Sequence, residues 1–135
     1  MRRVFVDTGA WYALVDADDP DHGRVAPCFR EHRGRLITSN FVFDEAITLT
    51  RYRLGWPVAS RLGAQLRAGQ VALVERVTPI DEEAAWAIFS SYRDKSFSFT
   101  DCTSFALVRR LRIDLCLAID ADFRSFGLHC IPGLD

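Results

Sequence analysis

The first apolar run of the chain leads directly into a carboxylate. Val4, Phe5 and Val6 favour a β-strand, Asp7 follows at once, and from Thr8 onward the apolar residues recur at helical spacing. A strand, an acid at its carboxyl end and a helix form the repeating unit of parallel α/β sheets, whose ligands bind at the carboxyl ends of the strands. Asp7 is therefore expected at a ligand-binding edge, although an aspartate here would also suit a simple helix cap.

Similar strand and helix patterns alternate along the rest of the chain. A continuous apolar run at 115–119 is typical of a strand buried on both faces, and Asp120 follows it at once. Shorter strands are predicted at 35–38, 71–74 and 128–131. This alternation predicts an α/β fold, namely a three-layer α/β/α sandwich with a mostly parallel central sheet. We expect residues 1–135 to form a single domain.

The composition argues against a membrane protein, a secreted protein and a zinc protein. No apolar run approaches the roughly 18 residues that a transmembrane helix needs, and the amino terminus lacks the apolar core of a signal peptide. We therefore expect a cytoplasmic protein. The cysteines form no C-x-x-C pair and no histidine stands at zinc-ligand spacing, so they are expected to be free, buried thiols. They are Cys28, Cys102, Cys116 and Cys130.

Four acidic residues share an unusual setting, since each follows a strand or stands among apolar neighbours on a helix. Asp7 and Asp120 follow strands, Glu45 has apolar residues one helical turn away, and Asp101 opens a later helix. Taken singly, Glu45 would also suit an ion pair with an arginine, and Asp101 the first turn of a helix. Carboxylates that converge repel one another unless a cation lies between them, and oxygen ligands favour Mg²⁺ or Mn²⁺.

The charge distribution is compatible with a polyanionic substrate. The net charge of −1 gives no support to nucleic-acid binding through bulk electrostatics. When the four acids and Asp122 are counted as neutralised by divalent cations, the remaining formal charge is +4. A mildly basic rim would then surround an acidic, metal-binding pocket.

Four motifs occur in a characteristic order. They are Val-Asp-Thr-Gly-Ala at 6–10, Asn-Phe-Val-Phe-Asp-Glu at 40–45, Ser-Phe-Thr-Asp-Cys-Thr-Ser-Phe-Ala at 98–106, and Ala-Ile-Asp-Ala-Asp-Phe at 118–123 with Gly127. In this order and at these separations they resemble the PIN-domain family, in particular the VapC toxins of VapBC toxin–antitoxin pairs. The resemblance covers the whole chain and implies a metal-dependent endoribonuclease.

The resemblance also implies roles for individual residues. Its catalytic, metal-binding quartet corresponds to Asp7, Glu45, Asp101 and Asp120. The cofactor implied is Mg²⁺ or Mn²⁺. Thr8 and Thr103 match positions where the family has hydroxyl residues, and Asp122 stands where many members have a further acid or a histidine, which makes it a candidate fifth ligand.

Three partners are implied in the same way: a structured RNA such as tRNA or rRNA, a VapB-like antitoxin, and a second copy of the chain in a homodimer. A helical hairpin is predicted over 41–68, broken at Trp56, and its apolar residues offer a surface for the antitoxin or for the dimer. Arg51, Arg53 and Arg124 are the exposed candidates for contact with RNA.

Two other function classes remain open at this point. One is phosphoryl transfer with Asp7 as a nucleophile, which Thr8 and Gly9 disfavour because no second aspartate follows. The only lysine, Lys95, also offers no evident partner late in the chain. The other is a catalytically inactive PIN-like binding module, which the presence of all four acids disfavours.

Overall fold

Strands and helices alternate through residues 2–133, the part of the chain that the computed structural model describes. The elements in chain order are β1 (Val4–Val6), α1 (Thr8–Val15), α2 (His22–Glu31), β2 (Leu36–Ser39), α3 (Asn40–Leu54), α4 (Trp56–Arg67), β3 (Leu73–Glu75), α5 (Pro79–Ser91), α6 (Phe99–Leu111), β4 (Leu115–Leu117), α7 (Asp122–Ser125) and β5 (His129–Ile131). Among these helices none is long and apolar enough to cross a membrane.

The five strands form one sheet in the order β3-β2-β1-β4-β5. All four strand pairings are parallel, and helices flank the sheet, so the predicted α/β/α architecture is confirmed. Val6 pairs with Leu117, which means that β1 and β4 end at the same level. The chain leaves β1 towards β2 on one side and returns to β4 on the other. In sheets of this kind the ligand crevice opens where the strand order reverses, at the carboxyl ends of β1 and β4.

The core fixes the position of these two strand ends. Every residue of β1 and β4 is buried, as a strand covered on both faces requires. On one side Trp11 of α1 is fully buried and packs against Phe29 of α2, with ring centroids 5.0 Å apart. In the same core Phe105 of α6 meets Phe123 of α7 at 4.9 Å. Each such buried side chain stabilises the fold by about 1.5–3 kcal/mol. The ends of β1 and β4 are therefore fixed by a well-packed core.

Three details differ from the sequence predictions. β3 begins two residues later than predicted, because only Leu73–Glu75 pairs with β2 and Leu73 is exposed at the edge of the sheet. Ser39 caps α3, as expected, but Asn40 lies inside the helix and its Oδ1 accepts a hydrogen bond from the Val77 backbone N–H at 2.7 Å. The expectation of four buried thiols was wrong for Cys28, which is half-buried because it lies near the end of a surface helix.

An ion pair between an exposed arginine and a buried aspartate joins α5 to α6. Arg110 donates from Nε to Asp81 Oδ1 at 2.7 Å and from Nη2 to Oδ2 at 3.0 Å. Asp81 also forms a capping box with Thr78, the residue that precedes α5. Burial alone would raise the pKa of Asp81, but the hydrogen bonds from Arg110 and Thr78 reverse this and hold the pKa below its usual value. The pair therefore holds α5 against the helix that carries Asp101.

Candidate active site

Three carboxylates meet at the crevice between β1 and β4. Asp7 follows β1, Asp120 follows β4 after two intervening residues, and Asp101 lies in the first turn of α6. One carboxylate oxygen from each of the three lies within 4.8 Å of the other two. The topology therefore brings together three acids that are up to 113 residues apart in the chain.

The backbone of Asp7 belongs to both the sheet and α1. Its N–H donates to the Leu117 carbonyl at 3.0 Å, and its carbonyl accepts from the N–H groups of Ala10 and Trp11 at 3.2 Å each. Its side chain makes no capping hydrogen bond to α1, so the simple helix cap considered from the sequence is not what this residue does. Oδ1 of Asp7 and Oγ1 of Thr8 are buried without a hydrogen-bond partner among the described residues. Such orphaned oxygens are costly unless a further group binds them.

Asp101 both caps its own helix and contributes a carboxylate to the acidic cluster. Its Oδ2 accepts from the Ser98 N–H at 3.1 Å, and its own N–H donates to Ser98 Oγ at 3.0 Å, which completes a capping box. The first-turn function considered from the sequence is therefore real. It also fixes the direction of the carboxylate, so that Asp101 reaches the crevice in a defined orientation.

Asp120 forms the open side of the cluster. Asp7 and Asp101 are buried, with 3% and 7% of their surface exposed, whereas Asp120 is exposed. The Asp122 N–H donates to Asp120 Oδ1 at 3.0 Å and orients it. A substrate would therefore approach from the side of Asp120 and α7.

The electrostatics of the cluster favour a bound cation. Burial raises the pKa of Asp7 well above its ordinary value, and the charge of Asp101 raises it further. Burial also raises the pKa of Asp101 to about 7, against the opposing hydrogen bond from Ser98. Partial desolvation and the nearby charge of Asp122 raise the pKa of Asp120. Without a cation these carboxylates resist being charged together, and oxygen atoms are the ligands that Mg²⁺ and Mn²⁺ prefer.

The comparisons with known proteins agree with this geometry. The model of the PIN domain family matches residues 4–127. The 23S rRNA-specific endonuclease VapC20 of Mycobacterium tuberculosis is 37% identical over 124 residues, which are 92% of this chain and 94% of that protein. The chain belongs to the PIN domain family, in its VapC branch. The resemblance inferred from the four sequence motifs is thereby confirmed.

A second VapC protein and the crystal structure of VapC20 are also similar to this chain. Ribonuclease VapC26 of M. tuberculosis is 28% identical over 87% of this chain and 86% of that protein. The crystal structure of M. tuberculosis VapC20, described there as a sarcin-ricin loop cleaving toxin, matches with a TM-score of 0.88 at 36% identity. That match covers 93% of this chain and 95% of the VapC20 chain.

Two acids predicted from the VapC motifs lie at the border of the cluster. Glu45 is half-buried on α3, and its negative charge contributes to the raised pKa values of both Asp7 and Asp120. Asp122 opens α7, and its charge acts in the same way on Asp101. Neither belongs to the group whose oxygens lie within 4.8 Å of one another. The PIN fold thus brings three acids together and places two more beside them.

Hydroxyl groups near the acids have different surroundings. Thr8 is buried beside Asp7 with an unpartnered hydroxyl, as a site residue would be. Thr103 is buried too, but its hydroxyl donates to the Thr100 carbonyl within α6 at 2.6 Å. The hydroxyl proton of Thr103 is therefore committed to its own helix rather than to the acids.

The structure corrects one of the three arginines suggested for RNA contact. Arg124 was expected to be exposed but is half-buried, and its Nη2 donates to the carbonyls of Cys130 at 3.2 Å and Pro132 at 2.7 Å. Arg53 is exposed, as expected, and its guanidinium lies over the Tyr12 ring, 5.1 Å from the centroid. Arg51 remains free of such contacts among the described residues, and it lines a groove between α3 and α4.

Thr38, which the sequence did not single out, stabilises the end of β1 next to Asp7. Thr38 is fully buried, and its hydroxyl donates to the Val6 carbonyl at 2.8 Å and accepts from Trp11 Nε1 at 3.3 Å. These two bonds tie β2 to residues on either side of Asp7. The only signal in the sequence is a hydroxyl residue at the end of an apolar strand, which is too common to single it out.

Proposed function

We propose that this protein is a metal-dependent endoribonuclease and the toxin of a toxin–antitoxin pair, acting as one PIN domain over residues 1–135. The observation that carries the proposal is the convergence of Asp7, Asp101 and Asp120 at the crevice of a VapC-type PIN fold. We assign these three as metal ligands, Glu45 as the fourth, and Asp122 as a candidate fifth. The ion would be Mg²⁺ or Mn²⁺, as the all-oxygen donor set favours.

The residues divide the work of phosphodiester hydrolysis between them. A divalent ion bound here would supply an activated water and offset the negative charge of the phosphodiester. Asp7 and Asp101 are held by the backbone bonds described above, so they present their oxygens without rearrangement. Thr8 offers an unpartnered hydroxyl beside Asp7, suited to hold a water molecule or a phosphate oxygen. The carboxylates hold the ion in position and do not themselves attack the phosphodiester, so no covalent intermediate forms.

The relatives suggest which RNA to test first. VapC20 is named a 23S rRNA-specific endonuclease, and its crystal structure is described as that of a sarcin-ricin loop cleaving toxin. Because this chain is 37% identical to VapC20 over nearly its whole length, we propose rRNA as the first substrate class to test, with tRNA as the second.

We also propose two protein partners, a VapB-like antitoxin and a second copy of the chain. A groove of about 1010 Å³ lies between α3 and α4, and Tyr52 and Trp56 line it with 84% and 63% of their surface exposed. Exposed aromatic residues in a groove favour capture of a helical or extended peptide. Light scattering of the protein without antitoxin is expected to give a dimer. A stable monomer at micromolar concentration would contradict the homodimer.

Cleavage of RNA by the purified protein tests the proposed activity. Total cellular RNA is incubated with Mg²⁺, Mn²⁺ or EDTA, using the wild type, Asp7→Asn, Asp101→Asn and the control Asp44→Asn. Asp44 is exposed on α3 next to Glu45, so its variant makes the same chemical change outside the cluster. We expect discrete cuts that need the metal, vanish in the first two variants and persist in the control.

Three outcomes would contradict the proposal. Cutting that continues in EDTA or in both cluster variants would point to a contaminating nuclease. Absence of cutting with metal tightly bound would favour an inactive binding module, and a phosphorylated Asp7 detected by mass spectrometry would favour phosphoryl transfer.

A further inference from the structure

A strip of aromatic side chains leads away from the acidic cluster. Phe99 is its centre, with ring centroids 6.5 Å from Phe41, 6.4 Å from Trp86 and 6.2 Å from Phe89. Trp86 and Phe89 stack on each other at 5.6 Å with an interplanar angle of 23°. These four residues, from α3, α5 and α6, are called the aromatic strip below.

The inner end of the aromatic strip lies where the acids are positioned. Phe99 is the first residue of α6, two residues before Asp101 and in the same helical turn. Phe41 lies in the first turn of α3, one turn before Glu45. Both residues are half-buried, so the inner end of the strip lies at the starts of the two helices that carry Glu45 and Asp101.

The outer end of the aromatic strip is open to solvent and borders a basic cleft. Trp86 is 59% exposed and Phe89 is 42% exposed. Beside them a cleft of about 390 Å³ is lined by these two rings and by Tyr92, Arg93 and Lys95. Of residues 2–133, no aspartate or glutamate lines this cleft. Flat apolar rings beside two cations complement the base and the phosphate of a nucleotide.

We propose that the aromatic strip and the basic cleft bind unpaired nucleotides adjacent to the scissile bond of the RNA. The bases stack on Trp86 and Phe89, and Arg93 and Lys95 contact the phosphates. Stacking on aromatic side chains needs bases that are not already stacked in a duplex, so the site selects loops over paired stems. This inference rests on the proposed ribonuclease function and names how its substrate is held.

Binding of a labelled RNA hairpin tests the role of Trp86. Fluorescence anisotropy is measured for a hairpin with an unpaired loop and for a fully paired duplex, with Ca²⁺ in place of Mg²⁺. Trp86→Ala is expected to weaken loop binding about 10-fold, because it removes the ring on which one base stacks. Leu73→Ala is the matched control, because Leu73 is a similarly exposed apolar residue, at 56%, but lies on β3 at the edge of the sheet. Its RNA affinity is expected to equal that of the wild type.

Two further measurements separate stacking and phosphate contact from a general loss of structure. In a Trp56→Phe protein, Trp86 is the only exposed tryptophan, since Trp11 is fully buried, and loop RNA is expected to quench its fluorescence. The affinity of the wild type for RNA is expected to fall as salt is added. A double variant, Arg93→Gln with Lys95→Gln, is expected to reduce the steepness of this fall, in log affinity against log salt, by about 1 to 2. In multiple-turnover cleavage, Trp86→Ala is expected to raise KM more than it lowers kcat.

The outcomes distinguish this inference from the proposed function. If the wild type cuts RNA while Trp86→Ala binds the loop as tightly as the Leu73→Ala control, the inference is overturned and the ribonuclease stands. If light scattering shows that Trp86→Ala dissociates a dimer, the strip is an interface between copies, which also overturns it. If the wild type neither binds nor cuts RNA, both proposals fail together.

Discussion

The metal-free protein is expected to lose stability as the pH rises from 5 to 8. In the folded protein Asp101 keeps its proton up to about pH 7, whereas in the unfolded chain it releases the proton near its ordinary pKa of 3.8. Between these values the folded state binds more protons, so raising the pH favours unfolding. At 1.36 kcal/mol for each pKa unit, Asp101 alone accounts for a loss of about 3 kcal/mol between pH 5 and pH 8.

Thermal denaturation in EDTA, followed by circular dichroism, measures this effect. For a chain of this size about 3 kcal/mol corresponds to a fall in Tm of about 10 °C. Asp101→Asn keeps an oxygen for the Ser98 N–H, so this variant is expected to lose much of the pH dependence and to be more stable than the wild type at pH 8. Asp44→Asn, the exposed control, should keep the wild-type slope. Adding Mn²⁺ should restore the stability of the wild type at pH 8.

A flat Tm between pH 5 and pH 8 in EDTA would contradict this prediction. So would an Asp101→Asn variant that is less stable than the wild type at pH 8. Either result would mean that the three carboxylates do not destabilise the fold when they are charged.

Three further predictions concern residues outside the cluster. Thr38→Val removes the hydroxyl that bridges Val6 and Trp11, and we expect about 2 kcal/mol less stability and weaker Mn²⁺ binding by calorimetry, both largely restored in Thr38→Ser. Arg110→Met leaves Asp81 buried without its partner, so the free energy of unfolding at pH 7, measured with denaturant, should fall by about 3 kcal/mol. At pH 3 the difference in stability from the wild type should be smaller, because Asp81 takes a proton. Gly63→Val places a branched side chain where even a Cβ would lie 3.3 Å from Ile47, so it is expected to lower Tm by several degrees by separating α3 from α4.

Much of the fold and the two strand-end acids could be predicted because their signals are local. Asp7 and Asp120 each follow a buried apolar run, and parallel strands necessarily end at one edge of the sheet. Asp101 was harder, since an aspartate at the start of a helix is ordinary and its capping box is indeed present. Its approach to Asp7 depends on how α6 packs, which the local sequence does not encode.

Contacts between distant residues account for what the sequence did not reveal. Arg124 binds backbone carbonyls of the last strand and its neighbour, and carbonyls leave no signature in a sequence. Arg53 lies over Tyr12, 41 positions earlier in the chain, and Arg110 pairs with Asp81 across 29 positions. Each of these arginines looks like a solvated surface residue until the packing of the helices is known.

Anomalous diffraction from crystals of this protein soaked in Mn²⁺ would show directly which carboxylates bind the ion. We expect an anomalous peak within about 2.0–2.3 Å of carboxylate oxygens from Asp7, Asp101 and Asp120, and no such peak in crystals of Asp7→Asn soaked in the same way. A wild-type crystal with no peak in the crevice, or with Mn²⁺ bound only at other acids such as Asp44 or Asp94, would contradict it.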